Sequence, residues 1–221
     1  MSKGEFCLGE PELMQSVSAN NPCPFLRALV AGDYISDKVE PLSTIADTIV
    51  EASAGTPLEK PLPRGPVYLI AMIANGLGPI QIARNIRRGA RLADLRGGPL
   101  DKRGSGSRIL DGAGCIDGAE LARLDKFASD KKDLTDATER GLGADELRAM
   151  MDANFARAAG ERRWFDRALM NGEWPVLLRV MGRASVQGPY LSLSELVALF
   201  VDRRLPPRIT ERLKSRHLNR L

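Results

Sequence analysis

Asn21-Pro22-Cys23-Pro24-Phe25-Leu26-Arg27-Ala28-Leu29-Val30-Ala31-Gly32-Asp33-Tyr34-Ile35 sets a cysteine between two prolines, directly ahead of an apolar helical run. Pro24 suits the first helical position, where its missing N–H has no partner to lose. Cys23 then stands at a helix N-terminus. Unpaired backbone N–H groups and the positive end of the helix dipole favour an anionic sulfur there. A thiolate held in this way can ligate haem iron and push electron density toward it. The stretch predicts a helix over residues 25–31 and a metal-ligating Cys23. The alternative for the same residue is a small buried hydrophobe.

Outward from this stretch the signals stay helical. Residues 43–54 read as a helix, with Ser43 as N-cap, Ile45, Ile49 and Val50 apolar, and Gly55 as the stop. Residues 67–75 are apolar all round and read as a buried helix. Pro79 opens another that runs to Arg88. Residues 89–118 carry eight glycines and are the least regular part; a loop this long in a compact domain is more often functional than decorative. Leu121, Leu124 and Ala128 mark a further helix. Leu147, Met150, Met151, Phe155 and Ala158 mark another, and Trp164, Phe165, Ala168 and Leu169 a third. Ser192-x-x-Glu195 reads as a capping box ahead of Leu196, Val197 and Phe200. Nothing alternates with period two for long. The expected fold is all-α: a lead-in over residues 1–20, one helical bundle over 21–205 and a basic helix or tail over 206–221. Bundles build cofactor sites from side chains on facing helices, so a buried haem pocket is compatible with this architecture.

Composition narrows the class. The chain has 221 residues, 43% hydrophobic and 27% charged, which is ordinary for a globular protein and long enough to enclose a cofactor. Aromatic residues make up only 5%, which argues against a stacking platform for single-stranded nucleic acid. Residues 203–221 hold seven basic side chains against Glu211 alone, so the formal net charge of +4 is concentrated at the C-terminal end. Such a run reads first as a solvated helix face, and second as a patch for nucleic acid or anionic lipid. Three cysteines, Cys7, Cys23 and Cys115, show no paired spacing. That speaks against a disulfide framework and for a cytoplasmic setting. The N-terminal residues lack the apolar core of a signal peptide, and the longest apolar run is too short to span a bilayer. No membrane partner is expected.

The segment around Cys23 resembles the proximal segment of the haem-thiolate peroxidases, the family of chloroperoxidases and unspecific peroxygenases. They carry Pro-Cys-Pro followed by a pattern that Leu26, Leu29, Tyr34 and Ile35 fit. Arg27 and Ala31 stand where the family has asparagines, Val30 where it has alanine and Asp33 where it has glycine. A second similar stretch is Ile116-Asp117-Gly118-Ala119-Glu120-Leu121-Ala122-Arg123. There some members bind a divalent cation beside a haem propionate. Ile116 and Gly118 replace the usual acids, Asp117 falls where some members have a catalytic histidine, and Glu120 falls at a serine. The third is Gly172-Glu173 ahead of an apolar helix, with Arg204-Leu205-Pro206 further on; in the family such a glutamate is the distal acid–base residue.

The resemblance implies haem b with Cys23 as axial ligand, Glu173 as the catalytic acid–base and Asp117 as a second catalytic carboxylate. Glu120 is the candidate ligand for Mg2+ or another divalent cation. The usual partner of the distal glutamate is missing, since Asp166 stands seven residues before Glu173 and the single histidine is His217. Residues 109–120 also mimic an EF-hand loop, with Gly114 at the sharp turn and Glu120 at the bidentate position. Ile109 and Ala113, however, stand where early oxygen ligands belong. The plain alternative is a loop entering a helix, with acids in its first turn. The expected activity is peroxidase or peroxygenase chemistry, with hydrogen peroxide oxidising a small organic substrate. The rivals are a non-catalytic helical module binding a protein or nucleic acid through its arginine-rich end, and a haem sensor or carrier.

Overall fold

The computed structural model describes residues 17–55, 61–101 and 109–218. The first helix, α1 (Pro24–Ala31), follows the Cys23 turn. Then come α2 (Leu42–Ala52), α3 (Arg64–Met72), α4 (Pro79–Arg88) and α5 (Gly118–Phe127). Two strands follow, β1 (Ser129–Lys132) and β2 (Thr138–Gly143). They lead into α6 (Ala144–Arg157) and α7 (Asp166–Met181), and the chain closes with β3 (Tyr190–Ser192), α8 (Leu193–Val201) and α9 (Pro207–Leu218). The strands form one antiparallel sheet in the order β1-β2-β3, with Ser129 opposite Gly141 and Leu142 opposite Leu191. The chain is therefore a mixed α/β fold, and the all-α expectation is corrected.

The physical reason for that error is visible in the strands. Ser129-Asp130-Lys131-Lys132 and Thr138-Glu139-Arg140-Gly141-Leu142-Gly143 carry almost no apolar alternation. The hairpin is made by its turn instead. Oδ1 of Asp133 accepts from the Thr135 backbone N–H at 2.8 Å, its hydroxyl at 2.7 Å and the Ala137 N–H at 3.0 Å. Asp136 adopts φ +66° to close the loop. Gly141 is required by a close approach, since a Cβ there would strike the ring of Tyr190, itself fully buried. These are tertiary conditions that periodicity does not report.

The helices are close to expectation. Pro79–Arg88 is found with both ends as read, and α2 runs Leu42–Ala52 with Pro41, not Ser43, at its N-cap. Further expectations fail. Trp164 and Phe165, read as marking a helix, precede α7, and Trp164 is 92% exposed. α3 is not buried all round: Val67 and Ala71 are buried, but Leu69 is 57% and Ile70 45% exposed. Ser192 does sit at the N-cap of α8, yet no capping box forms. Its hydroxyl donates to Glu139 Oε2 at 2.7 Å, and Glu195 pairs with Arg208. Arg208 also donates to the Met181 carbonyl, which ties α9 to the end of α7.

Leu29, Val30, Ala46, Leu142, Leu196, Leu199 and Ile209 are fully excluded from water and belong to one continuous apolar cluster. It draws on α1, α2, β2, α8 and α9. The basic C-terminal helix is thus part of the packing. Ile209 and Leu213 enter the core, and Arg212 donates to the carbonyls of Ala52 and Gly55, each at 3.0 Å.

Glu146, in the first turn of α6, locks sheet to helix. Oε1 accepts from Lys131 Nζ at 2.6 Å and Ser129 Oγ at 2.5 Å, and Oε2 accepts from the Gly143 N–H at 3.0 Å. Burial by itself would raise the Glu146 carboxyl, but the hydrogen bonds from Lys131 and Ser129 prevail and hold it down at about 2. A carboxyl depressed in the folded state stabilises fully above its unfolded value, and that contribution is lost as pH falls through the folded one. Glu146→Gln is expected to cost about 2 kcal/mol at neutral pH. It should also remove the part of the stability loss that the parent shows between pH 4.5 and about 2. Urea unfolding across that range measures both.

Candidate functional site

Cys23 is the N-cap residue of α1, with Pro24 in its first turn. Its backbone N–H donates to Asn21 Oδ1 at 3.2 Å, and its carbonyl accepts from the Arg27 N–H at 3.0 Å. The cysteine keeps its thiol, is half-buried and packs against the apolar cluster. Asn21 is fully buried, and its amide donates to Asp37 at 3.5 Å. The prolines restrict the backbone on both sides. The sulfur is thereby held at a helix N-terminus by its own chain.

Beside it lies Arg27, only 3% exposed, donating from Nη1 to the carbonyls of Ser18 at 2.8 Å and Asn21 at 3.2 Å. Burial pulls its guanidinium down to about 10, and the charges of Arg203 and Arg96 push the same way. Asp37 and Cys23 oppose that shift. This guanidinium would attract an anionic sulfur at Cys23. A neighbouring cation and a helix N-terminus are settings that favour a thiolate over a thiol.

The structure brings the second stretch of interest to the same place. Arg96 donates from Nη2 to the carbonyls of Ala19 at 3.2 Å and Asp111 at 2.6 Å, so loop 109–117 is fastened to the residues before Cys23. Gly114, at φ +77°, lies so close that a Cβ would come within 3.0 Å of Ala19 Cα and 3.4 Å of Arg27 Nη1. Oδ1 of Asp111 accepts the N–H groups of Ala113 and Cys115, each at 2.8 Å, and closes the turn. Cys115 is disulfide-bonded, contrary to the expectation that the cysteines form no bridge. Cys7 lies outside the described residues.

The carboxylates of this stretch are engaged in structure. Asp117 caps α5, its Oδ1 accepting from the N–H groups of Ala119 at 2.9 Å and Glu120 at 3.2 Å. Glu120 receives both arms of Arg157, at 2.6 and 3.0 Å, with Arg123 at 3.4 Å. Its oxygens face guanidinium groups, and Mg2+ binding there would first have to break those pairs. Among the described residues no group of three or more His, Cys, Asp or Glu is placed to hold a metal ion. The residues present do not fit a divalent cation at Glu120.

Glu173 lies exposed in the middle of α7, between Gly172 and the buried Trp174. α7 packs on α2, α6 and β3, while α1 packs on α8. Glu173 and Cys23 thus stand on helices that meet different neighbours. Asp166, 1% exposed, takes the N–H and the guanidinium of Arg163, which donates onward to the carbonyls of Gly98, Pro99 and Asp101. The side chain of His217 is outside the described set.

One polar centre is not signalled by any motif. Glu139 on β2 accepts from Arg183 at 2.6 Å and the Tyr190 hydroxyl at 2.6 Å on Oε1, and from Ser192 at 2.7 Å on Oε2. Burial, and then the Glu139 carboxylate, push the Tyr190 phenol well above its ordinary range. The four residues are scattered over two strands and a turn, so only the pairing of β2 with β3 assembles them. No protein-family model, curated protein or solved structure matches the chain.

Arg27→Gln is expected to slow alkylation of Cys23 by iodoacetamide at neutral pH severalfold, because the neighbouring positive charge is removed. A pH profile of the alkylation rate, followed by mass spectrometry of the Cys23 peptide, reads this directly.

Proposed function

We propose that the chain is a haem-thiolate oxidoreductase of the peroxidase or peroxygenase type, with Cys23 as the axial ligand of the iron. The observation that carries this reading is the setting of the thiol: N-cap of α1, prolines on both sides, and the buried Arg27 guanidinium beside it. Haem held through that sulfur supplies the iron at which the O–O bond of hydrogen peroxide breaks. The chain's own part is to keep the sulfur anionic and fixed. Arg27 and the α1 N-terminus do the first, while Asn21 and the prolines do the second. Glu173 is the carboxylate assigned to move a proton from one peroxide oxygen to the other. Asp117 is the second candidate, since its loop is seated against the Cys23 segment. A small organic molecule is the substrate class.

A haem carrier or sensor without turnover is the second reading. It is favoured by the engagement of Asp117 and Glu120 in capping and ion pairing, and by the exposure of Glu173 on α7. The disulfide at Cys115 suits an oxidising compartment better than the cytoplasm. No helix among the described residues is long and apolar enough to cross a membrane.

Haem reconstitution of the parent and Cys23→Ala, followed by reduction under carbon monoxide, tests the ligand. A red-shifted thiolate-type Soret band in the parent, absent from the variant, is expected; a colourless parent overturns the proposal. Glu173→Gln separates the two readings. An enzyme that uses this carboxylate loses about 100-fold or more in peroxide turnover while keeping its haem, and a carrier is unchanged.

A further inference from the structure

The hairpin of α3 and α4 is the most unusual surface of the molecule. α4 packs chiefly on α3, and the Asn85 amide donates to the Met72 carbonyl at 2.9 Å to hold the two together. Five aliphatic side chains on this hairpin face water: Leu69 and Ile70 on α3, Leu77 in the turn, and Ile80 and Ile86 on α4. Ile80 is 80% exposed. Single exposed aliphatics need no explanation, but five on one hairpin do.

The charges beside them have one sign. Arg84, Arg87 and Arg88 are all exposed, and α4 contains no acidic residue. Arg84 and Arg87 lie four and seven positions after Ile80, so on a helix they flank it on one face. Arg64 and Arg91, at the two ends of the hairpin, pair with Asp47 and Asp94. By contrast, Arg84, Arg87 and Arg88 pair with no acidic side chain among the described residues. A short helix with arginines beside exposed isoleucines has the make-up of one that lies in a membrane interface, aliphatic groups among the acyl chains and guanidinium groups at lipid phosphates.

We infer that the α3–α4 hairpin docks the protein on an anionic lipid surface, lying in the interface without crossing it. The charge on α4 selects an anionic surface, and the aliphatic side chains distinguish a bilayer from a purely ionic partner. A nucleic acid would meet Leu77, Ile80 and Ile86 where it needs hydrogen bonds or stacking. The inference is independent of haem binding.

Sedimentation with vesicles tests it, using the full chain and phosphatidylcholine–phosphatidylserine mixtures at two to one beside phosphatidylcholine alone. The parent is expected to sediment with the mixed vesicles, less so as salt is raised, and not with the neutral ones. Replacing Arg84, Arg87 and Arg88 together by glutamine should weaken binding about 100-fold, roughly fivefold for each arginine. Ile80→Asp should weaken it about 10-fold or more through loss of the inserted aliphatic group. All four positions are exposed, so thermal melting should match the parent and exclude unfolding as the cause. Absence of sedimentation overturns the inference, as does binding unchanged in both variants, which would assign the vesicle to another part of the chain. So does a parent that binds a short DNA duplex as tightly as the vesicles while Ile80→Asp has no effect, which would make α4 a polyanion site.

Discussion

The guanidinium of Arg27 is buried beside the Cys23 turn and donates to the carbonyl oxygens of Ser18 and Asn21. Taking a cation out of water is unfavourable, and burial holds the Arg27 guanidinium below its ordinary range. What it secures in return is the entire entrance to α1. The carbonyls of half-buried Ser18 and buried Asn21 receive donors, and Asn21 holds the Cys23 N–H beside a positive charge. Loop 109–117 then packs on the same group through Gly114. An apolar side chain at position 27 would take a donor from both carbonyls, leaving that of Ser18 with the Asn21 N–H, and would remove the nearby cation. Asparagine, which the resembled family carries there, is too short to make the same contacts.

Arginine serves this way across the molecule. Arg96 joins the carbonyls of Ala19 and Asp111, Arg163 those of Gly98, Pro99 and Asp101, and Arg212 those of Ala52 and Gly55. Each loop so tied lacks the regular ladder that would satisfy its backbone, and a guanidinium offers several donors in a fixed plane. This accounts for a chain that is 27% charged yet packs one continuous apolar core. It also explains the C-terminal helix. Its basic run reads as a solvated face in the sequence, but Arg208 and Arg212 point to partners in α8 and at the end of α2. On the α3–α4 hairpin, Arg84, Arg87 and Arg88 have no such structural duty, and it is there that exposed aliphatic side chains gather.

The parts legible in the sequence were those with local causes. Pro79 at the first turn and Gly89 after the last residue bound α4 on both sides. Cys23 at the N-cap follows from Pro24 in the first turn. The parts that were not legible depend on distant residues. β1 and β2 are polar strands whose inward positions include Lys131 and Gly141, so no period-two signal exists to read. Ser192 has the sequence context of a capping box, but Glu139 lies across the sheet and takes its hydroxyl. Residues 67–72 look buried because they are apolar, yet Leu69 and Ile70 point away from α2 and the core.

By itself the sequence determined the helical segments and the helix-capping position of Cys23. These depend on residues a few places apart, where proline geometry and apolar spacing act without reference to the rest of the chain. Only the tertiary structure decided the three-stranded sheet, the burial of Arg27, the engagement of Asp117 and Glu120, and the exposure of Glu173 on α7. Each of these turns on a partner at least a helix away or on the packing of whole elements. A carboxylate's chemistry is set by whichever cation or N–H group the fold brings to it, and no local pattern carries that information.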